Sequence, residues 1–473
     1  MKDQFASHFE NPEFKQNLAR YEEMLHSGDT SYFEATDLTD IAEYYAMNGN
    51  PQRAEETLDY ALRLHPDNLD ALIFKSRARL VNGQLREAIN IAERITDQHD
   101  REVMFLKAEL ALADMKHGQA TEILRTLVET ENYGAGTYAD IIDILVDNKQ
   151  IDMANDWLEE ALARHPGKQI LMESAAYSYG QQERFDEAIA IYNQLLDIDA
   201  YSMLYWEELG KIHFLREEYD KAIEAFEFAI AINSEASHYA MYAAANSYFN
   251  IGNYERAEEY YLQIHSRFPD TVDPLFHMGM CRVNKGDDEQ ALDYFTQALI
   301  TVPDGSEEQA QIYSQLSLIF SRKGQHDKAI AYVDQALLIY PENTELLIMK
   351  GHELLCQGFY DESNELFLEA LTLKPEQAER SLFLIAVSML ENSHYEMSYN
   401  ILRLLKDNPA IESDLLYPYL CLCEWVLRDS HFKETPTTSL AISPNKTYEI
   451  FNIPAIQGES AEQMIERLKS IGD

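Results

Sequence analysis

Tyr239, Tyr242, Asn246 and Phe249 follow one another at spacings of 3, 4 and 3, and the same spacing places Asp273, Phe276, Met280 and Val283 34 residues later. Residues so spaced share one face of an α-helix. Aromatic rings give contact area at low entropic cost, and an asparagine amide both donates and accepts with a peptide bond, so the chemistry open to this set is the holding of a peptide. Upstream the stripe reads Ile170, Glu173, Tyr177 and Gly180, then Leu204, Glu207, Lys211 and Phe214, with Asp40, Glu43, Asp140 and Asp143 on or beside it earlier still. The candidate binding residues are therefore Tyr177, Lys211, Tyr239, Tyr242, Asn246, Phe249 and Phe276. The competing reading is that the same rings pack between neighbouring helices.

Covalent and metal chemistry finds little support. The chain has no glycine-rich phosphate loop, zinc-protease histidine pair, nucleophile elbow or calcium loop. Its 14 histidines are scattered, and His65 and His165 stand before Pro66 and Pro166, where a helix-end role outweighs a catalytic one. Cys421-Leu422-Cys423 lacks a second cysteine pair and a histidine cluster, so buried packing is favoured over a metal site. We expect no catalytic residues, no metal and no cofactor, hence no enzyme.

The elements that must position the stripe announce themselves by periodicity. Ala154, Ala188 and Ala222 stand 34 residues apart, and Ala257 and Ala291 continue the series. Counted from the start of each window, a Gly or Ala falls at place 8, an Ala at 20 and often at 27, and large residues at 4, 7, 11 and 24. Small residues so placed let two antiparallel helices approach closely while large ones fill the flanks. Gly49, Gly83, Gly252, Gly286, Gly324 and Gly358 fall where the first helix must stop, and Pro66, Pro166, Pro269, Pro303, Pro341 and Pro375 where the second ends. The unit is a helical hairpin, and a chain of such units stacks into a solenoid.

This pattern resembles the tetratricopeptide repeat, a 34-residue helix-turn-helix module. The resemblance implies an all-α, right-handed α-solenoid of about eleven repeats over residues 35–411, looser at 103–134 and 378–411. Ala120 follows Ala88 by only 32 residues, ahead of a loop at Glu131–Gly136, and Ala329 follows Ala291 by 38, which fits four extra loop residues around Gly305–Glu308. Toward the end the alanine gives way to Ser363, then to Met397 or Ser398. In the proteins it resembles, the stripe at places 2, 5, 9 and 12 lines a concave groove that holds peptides. One subfamily grips the terminal carboxylate of chaperones with Lys, Asn and Arg there. The corresponding residues here are Glu207, Lys211, Ala243, Asp273 and His277, so that clamp is absent.

With 82 acidic against 38 basic residues, the formal charge is -44, which disfavours nucleic acid and anionic membranes and favours a neutral or basic partner over an anionic one. The opening residues carry no secretory signal and no stretch is apolar enough to span a bilayer, so a cytoplasmic location is expected. Asn445-Lys446-Thr447 matches a glycosylation acceptor of a kind that arises by chance. The resulting expectation is a non-enzymatic interaction scaffold, with a self-associating structural subunit or a regulatory accessory to an enzyme as alternatives.

Residues 1–34 should form a capping helix, with Phe14, Leu18, Tyr21 and Leu25 on its apolar face, and 412–429 a closing helix. In the tail, 430–473, prolines near 436 and 444 should break any helix, the apolar segment 447–456 should dock on the last repeats or on a neighbouring copy, and a short helix at 460–471 should start at Ser460, capped with Gln463.

Overall fold

The computed structural model describes residues 9, 11–27, 31–47, 50–233, 238–268, 272–406, 408, 411, 413–456 and 458–471. Gly49, Pro269 and the first eight residues lie outside the described set. The described helices gather into two units, Met1–Arg216 and Glu217–Asp473. In the first, the helix Pro12–Ser27 precedes five helical hairpins, from Ala35–Met47 with Pro51–Leu64 to Gln169–Gln181 with Phe185–Ile198, and the helix Met203–Leu215 ends it. The second begins with Tyr219–Ile232 and carries five more hairpins, from His238–Asn250 with Tyr254–Arg267 to Ala378–Glu391 with Tyr395–Leu405. The chain is all-α, a solenoid of helix-turn-helix repeats.

Close approach within each hairpin rests on its small residues. Ala154, Ala188, Ala222, Ala257, Ala291 and Ala329 are all wholly buried. Where serine replaces a small apolar residue, its hydroxyl reaches across the hairpin to a backbone carbonyl: Ser76 donates to Ala88 at 2.8 Å, Ser317 to Ala329 at 3.0 Å and Ser363 to Gly351 at 2.7 Å. A buried hydroxyl so bonded costs little. Ser398 is buried and Met397 half exposed, which settles the register of the last hairpin on the serine. Turns between paired helices pass through the left-handed region. Gly83, Gly252, Gly286, Gly324 and Gly358 take it without strain, while Met115, Lys149, Glu183 and Ser393 occupy it with side chains.

Several irregularities have local causes. The 32-residue interval before Ala120 reflects a second helix, Leu85–Glu93, of only 9 residues, and the hairpin after it is regular. The insertion near Gly305 is helix more than loop: Ser306 accepts from the Gln309 amide at 3.2 Å, and Glu307 and Glu308 form the acidic first turn of the 16-residue helix Glu307–Arg322. At the N-terminal helix Phe14, Tyr21 and Met24 are buried and Leu25 is exposed, so Met24 takes the place expected of Leu25. His65 and His165 end their helices and donate from Nε2 to the carbonyls of Phe33 and Tyr133, each 32 residues back, tying the two ends of a hairpin together.

The tail departs from expectation. Pro436 and Pro444 stand in the first turns of the helices Thr435–Ile442 and Pro444–Ile450 and start them, because the amide that proline lacks has no partner in a first turn anyway. The apolar segment is thus partly helical, and Tyr448, Met464 and Leu468 pack with Phe432 against Cys421 of the helix Ser413–Leu427. Cys423, two residues on, faces the last repeat through Leu402, Leu405 and Leu420. Both thiols are buried, and burial pushes that of Cys423 up to about 11. The helix Ala461–Ile471 opens on a reciprocal cap, Gln463 N to Ser460 Oγ at 3.3 Å and Ser460 N to Gln463 Oε1 at 2.9 Å.

Candidate peptide-binding groove

The first helices bury places 3, 7 and 8, as in Leu171, Ala175 and Ala176 or Ala240, Ala244 and Ala245, which leaves places 2, 5, 9 and 12 for another surface. Place 9 in the first unit is occupied in turn by Glu43, Arg77, Glu109, Asp143, Tyr177 and Lys211. Several of these side chains are already engaged. Arg77 donates from Nε and Nη2 to the two oxygens of Glu109 at 3.0 and 3.1 Å. Tyr177 donates to Asp147, and Lys211 lies 3.6 Å from Glu208. Tyr177 and Lys211 do come together, but in a cleft of only about 30 Å³ walled by Tyr192 and Ile212. Burial, with Asp140, Asp147 and Glu173 nearby, pushes the Asp143 carboxyl up to about 6, against a Ser174 hydrogen bond that lowers it.

In the second unit the aromatic residues form a connected set. The Tyr242 ring meets Tyr261 edge-on at 5.8 Å and His277 at 5.6 Å, while Tyr261 and His277 stack at 5.1 Å. Tyr261, on the second helix of the same hairpin, donates its hydroxyl to Asn246 Oδ1 at 2.6 Å. Phe276 continues the chain of rings, 5.5 Å from His277 and 5.7 Å from Phe295. Burial raises the Tyr242 and Tyr261 phenols and lowers His277, whose loss of charge Asp273 opposes. Tyr242, Asn246 and Phe276 are therefore gathered on adjacent first helices. Tyr239 and Phe249 stand apart from this set, Tyr239 half exposed against Phe226 and Phe249 edge-on to Tyr254 at 5.3 Å.

The rings thus serve packing as well as presenting surface. Sequence reasoning placed Tyr261 only as a large packing residue and His277 only as a position of the absent clamp, and it missed that the two hold Tyr242 and Asn246. Beyond Phe276 the same face bounds a cavity of about 300 Å³ with Gln311, Ser314, Glu345 and Met349. Continuing the place-2 and place-5 reading into the next two repeats would have found Gln311, Ser314 and Glu345. Among the described residues no group of three His, Cys, Asp or Glu side chains is placed to hold a metal ion, and no helix is long and apolar enough to cross a membrane.

Family profiles of the tetratricopeptide repeat match residues 45–110, 140–203, 173–237, 242–306 and 310–343. A tetratricopeptide repeat-containing protein of Methanocaldococcus jannaschii is 24% identical over 355 residues, which cover 68% of this chain and 61% of that protein. Human protein O-mannosyl-transferase TMTC1 is 23% identical over 215 residues, 43% of this chain and 24% of the human one. The chain thus spans less than two thirds of either relative. Of solved structures, yeast Tom70 is similar over 92% of this chain and 96% of its own, at 14% identity and a TM-score of 0.44. MamA is similar over 37% of this chain and 94% of its own, at 19% identity and a TM-score of 0.33. These last two likenesses concern the fold alone.

Proposed function

Because the chain belongs to the tetratricopeptide repeat family, whose members carry function on the surfaces of stacked hairpins, we propose that it is a non-enzymatic scaffold that holds an extended, neutral or basic peptide segment along the first helices of its second unit. The observation that carries this reading is the gathering of Tyr242, Asn246 and Phe276 beside an open cavity of about 300 Å³. Tyr261 holds the amide oxygen of Asn246, which leaves Nδ2 to serve a peptide carbonyl. Tyr239, half exposed with one edge against Phe226, presents the other part of its ring to solvent. Lys211 and Tyr177, engaged with Glu208 and Asp147, are secondary to this site. The acid-rich composition supports a neutral or basic segment over an anionic one.

The test is peptide selection on the full chain from a random library, followed by fluorescence anisotropy with the enriched sequences. Tyr239→Ala should weaken their binding about 5- to 10-fold, roughly 1 kcal/mol, with only a small fall in melting temperature from the lost edge contact with Phe226. Tyr242→Ala with Asn246→Ala should abolish binding and also lower the melting temperature, since Tyr261 loses its acceptor and a ring contact together. Undiminished affinity in both variants would mean that the rings only pack.

A further inference from the structure

The stripe does not end at Phe276. Place 9 in the second unit is filled by Asn246, Met280, Leu318, His352 and Val387, so the column that is charged through most of the first unit turns apolar toward the end of the array. Leu318, Ile348, His352, Leu384 and Val387 bound a cavity of about 430 Å³. Its neighbour, bounded by Phe276, shares Glu345 and Met349 with it, so one trough runs on from the aromatic set. We propose that this cavity is the anchor pocket of the groove, taking an aliphatic or aromatic side chain of a partner peptide in which an adjacent residue is Lys or Arg. The proposal rests on the groove reading above and names what the groove selects.

Three features argue for that occupant. Leu318 is 40% exposed while Ile348 is only 4% exposed, so an apolar lip stands over an apolar floor, and water displaced from it favours binding. The one ring in the wall is fixed: His352 Nδ1 lies 3.0 Å from Ser388 Oγ and Nε2 lies 3.4 Å from Cys356 Sγ. A preorganised wall spares the ordering cost of binding. The polar groups around the pocket mostly have partners already, Glu345 in Arg380 at 2.9 Å, Arg322 in Asp288, and buried Glu353 in a hydrogen bond with the His326 ring at 2.8 Å. Glu391 differs. Its side chain is 56% exposed, and among the described residues no Lys or Arg is paired with it, the His352 ring standing 3.8 Å away. A cation beside the anchoring side chain would find its counter-charge there, and an anion would be repelled.

Peptides enriched on the full chain from a random phage library, then synthesised and labelled for anisotropy, test this. The enriched sequences should pair an apolar residue with Lys or Arg. Leu318→Glu and Val387→Glu should each lower their affinity at least tenfold, and Glu391→Lys should both weaken them and admit the same peptides with Lys or Arg exchanged for Glu. The charge exchange at Glu391 keeps the test alive if an apolar-to-acid variant fails to fold. Enrichment without the apolar-basic pair, no enrichment at all, or affinity indifferent to all three substitutions would overturn the proposal. Peptides weakened by Tyr239→Ala and not by Leu318→Glu would sink the pocket and spare the groove, whereas peptides weakened by neither would sink both.

Discussion

At the scale of single residues, the repeat allows opposite outcomes for one substitution. A Cβ on Gly279 would stand 2.6 Å from the Phe295 ring, so Gly279→Ala should cost about 1–3 kcal/mol as the ring is forced aside. Gly180 lies inside the helix Gln169–Gln181, where an added methyl would meet nothing within 4 Å, and Gly180→Ala should stabilise by up to about 1 kcal/mol. Thermal melts of the two variants decide the point. A third residue makes stability depend on pH. Folding raises the Asp143 carboxyl from 3.8 to about 6, so its favourable contribution is complete below pH 3.8 and is lost as pH rises through 6. Asp143→Asn should therefore gain about 1–3 kcal/mol at pH 8 and nothing at pH 3.5, as read by denaturant titration at the two values. The small residues at places 8 and 20 were legible in the sequence because close helix contact excludes anything larger. Tyr261 was legible only as a large residue at place 24 and His277 not at all, since repeat spacing does not say that a packing ring's hydroxyl will reach Asn246 or that a histidine will stack on it.

At the scale of elements, periodicity located the hairpins and missed what flanking residues do at their ends. The extra turn opening Glu307–Arg322 and the tail helices behind Pro436 and Pro444 both arise from N-terminal signals, a serine cap in one case and proline in a first turn in the other. Read as breakers, those prolines suggest an extended tail; read as first-turn residues, they start helices. The tail then lies against the outer face of Ser413–Leu427 through Cys421, Tyr448 and Met464. Arg467 ties it by donating to the Pro454 carbonyl and to Glu459, each at 2.7 Å. Removing residues 430–473 should raise hydrogen exchange in 413–427 and leave the helices of the aromatic set unchanged, since among the described residues none of the set belongs to the tail cluster. Faster exchange at 238–250 or 273–284 would show instead that the tail occupies the groove. Replacing Ser460 by Ala should loosen only the last helix, by about 1 kcal/mol.

At the scale of the whole chain, the proposed function rests on how the stripe changes from repeat to repeat. Stability in a repeat array is a sum of neighbour terms, so Ala222→Leu should cost about 1–3 kcal/mol and speed exchange in the adjoining helices of its unit while distant ones stay protected. Binding draws on the same architecture differently, because an extended ligand can touch several successive first helices at once. On the proposed reading the stripe of the first unit offers mostly charged side chains, and that of the second offers rings, an amide and an apolar pocket. The most direct measurement of that claim is the hydrogen-exchange footprint of a selected peptide on the full chain. Protection should fall on the first helices at 238–250, 273–284, 307–322, 344–356 and 378–391. Protection confined to the second helices of the hairpins, or to residues before Arg216, would contradict it.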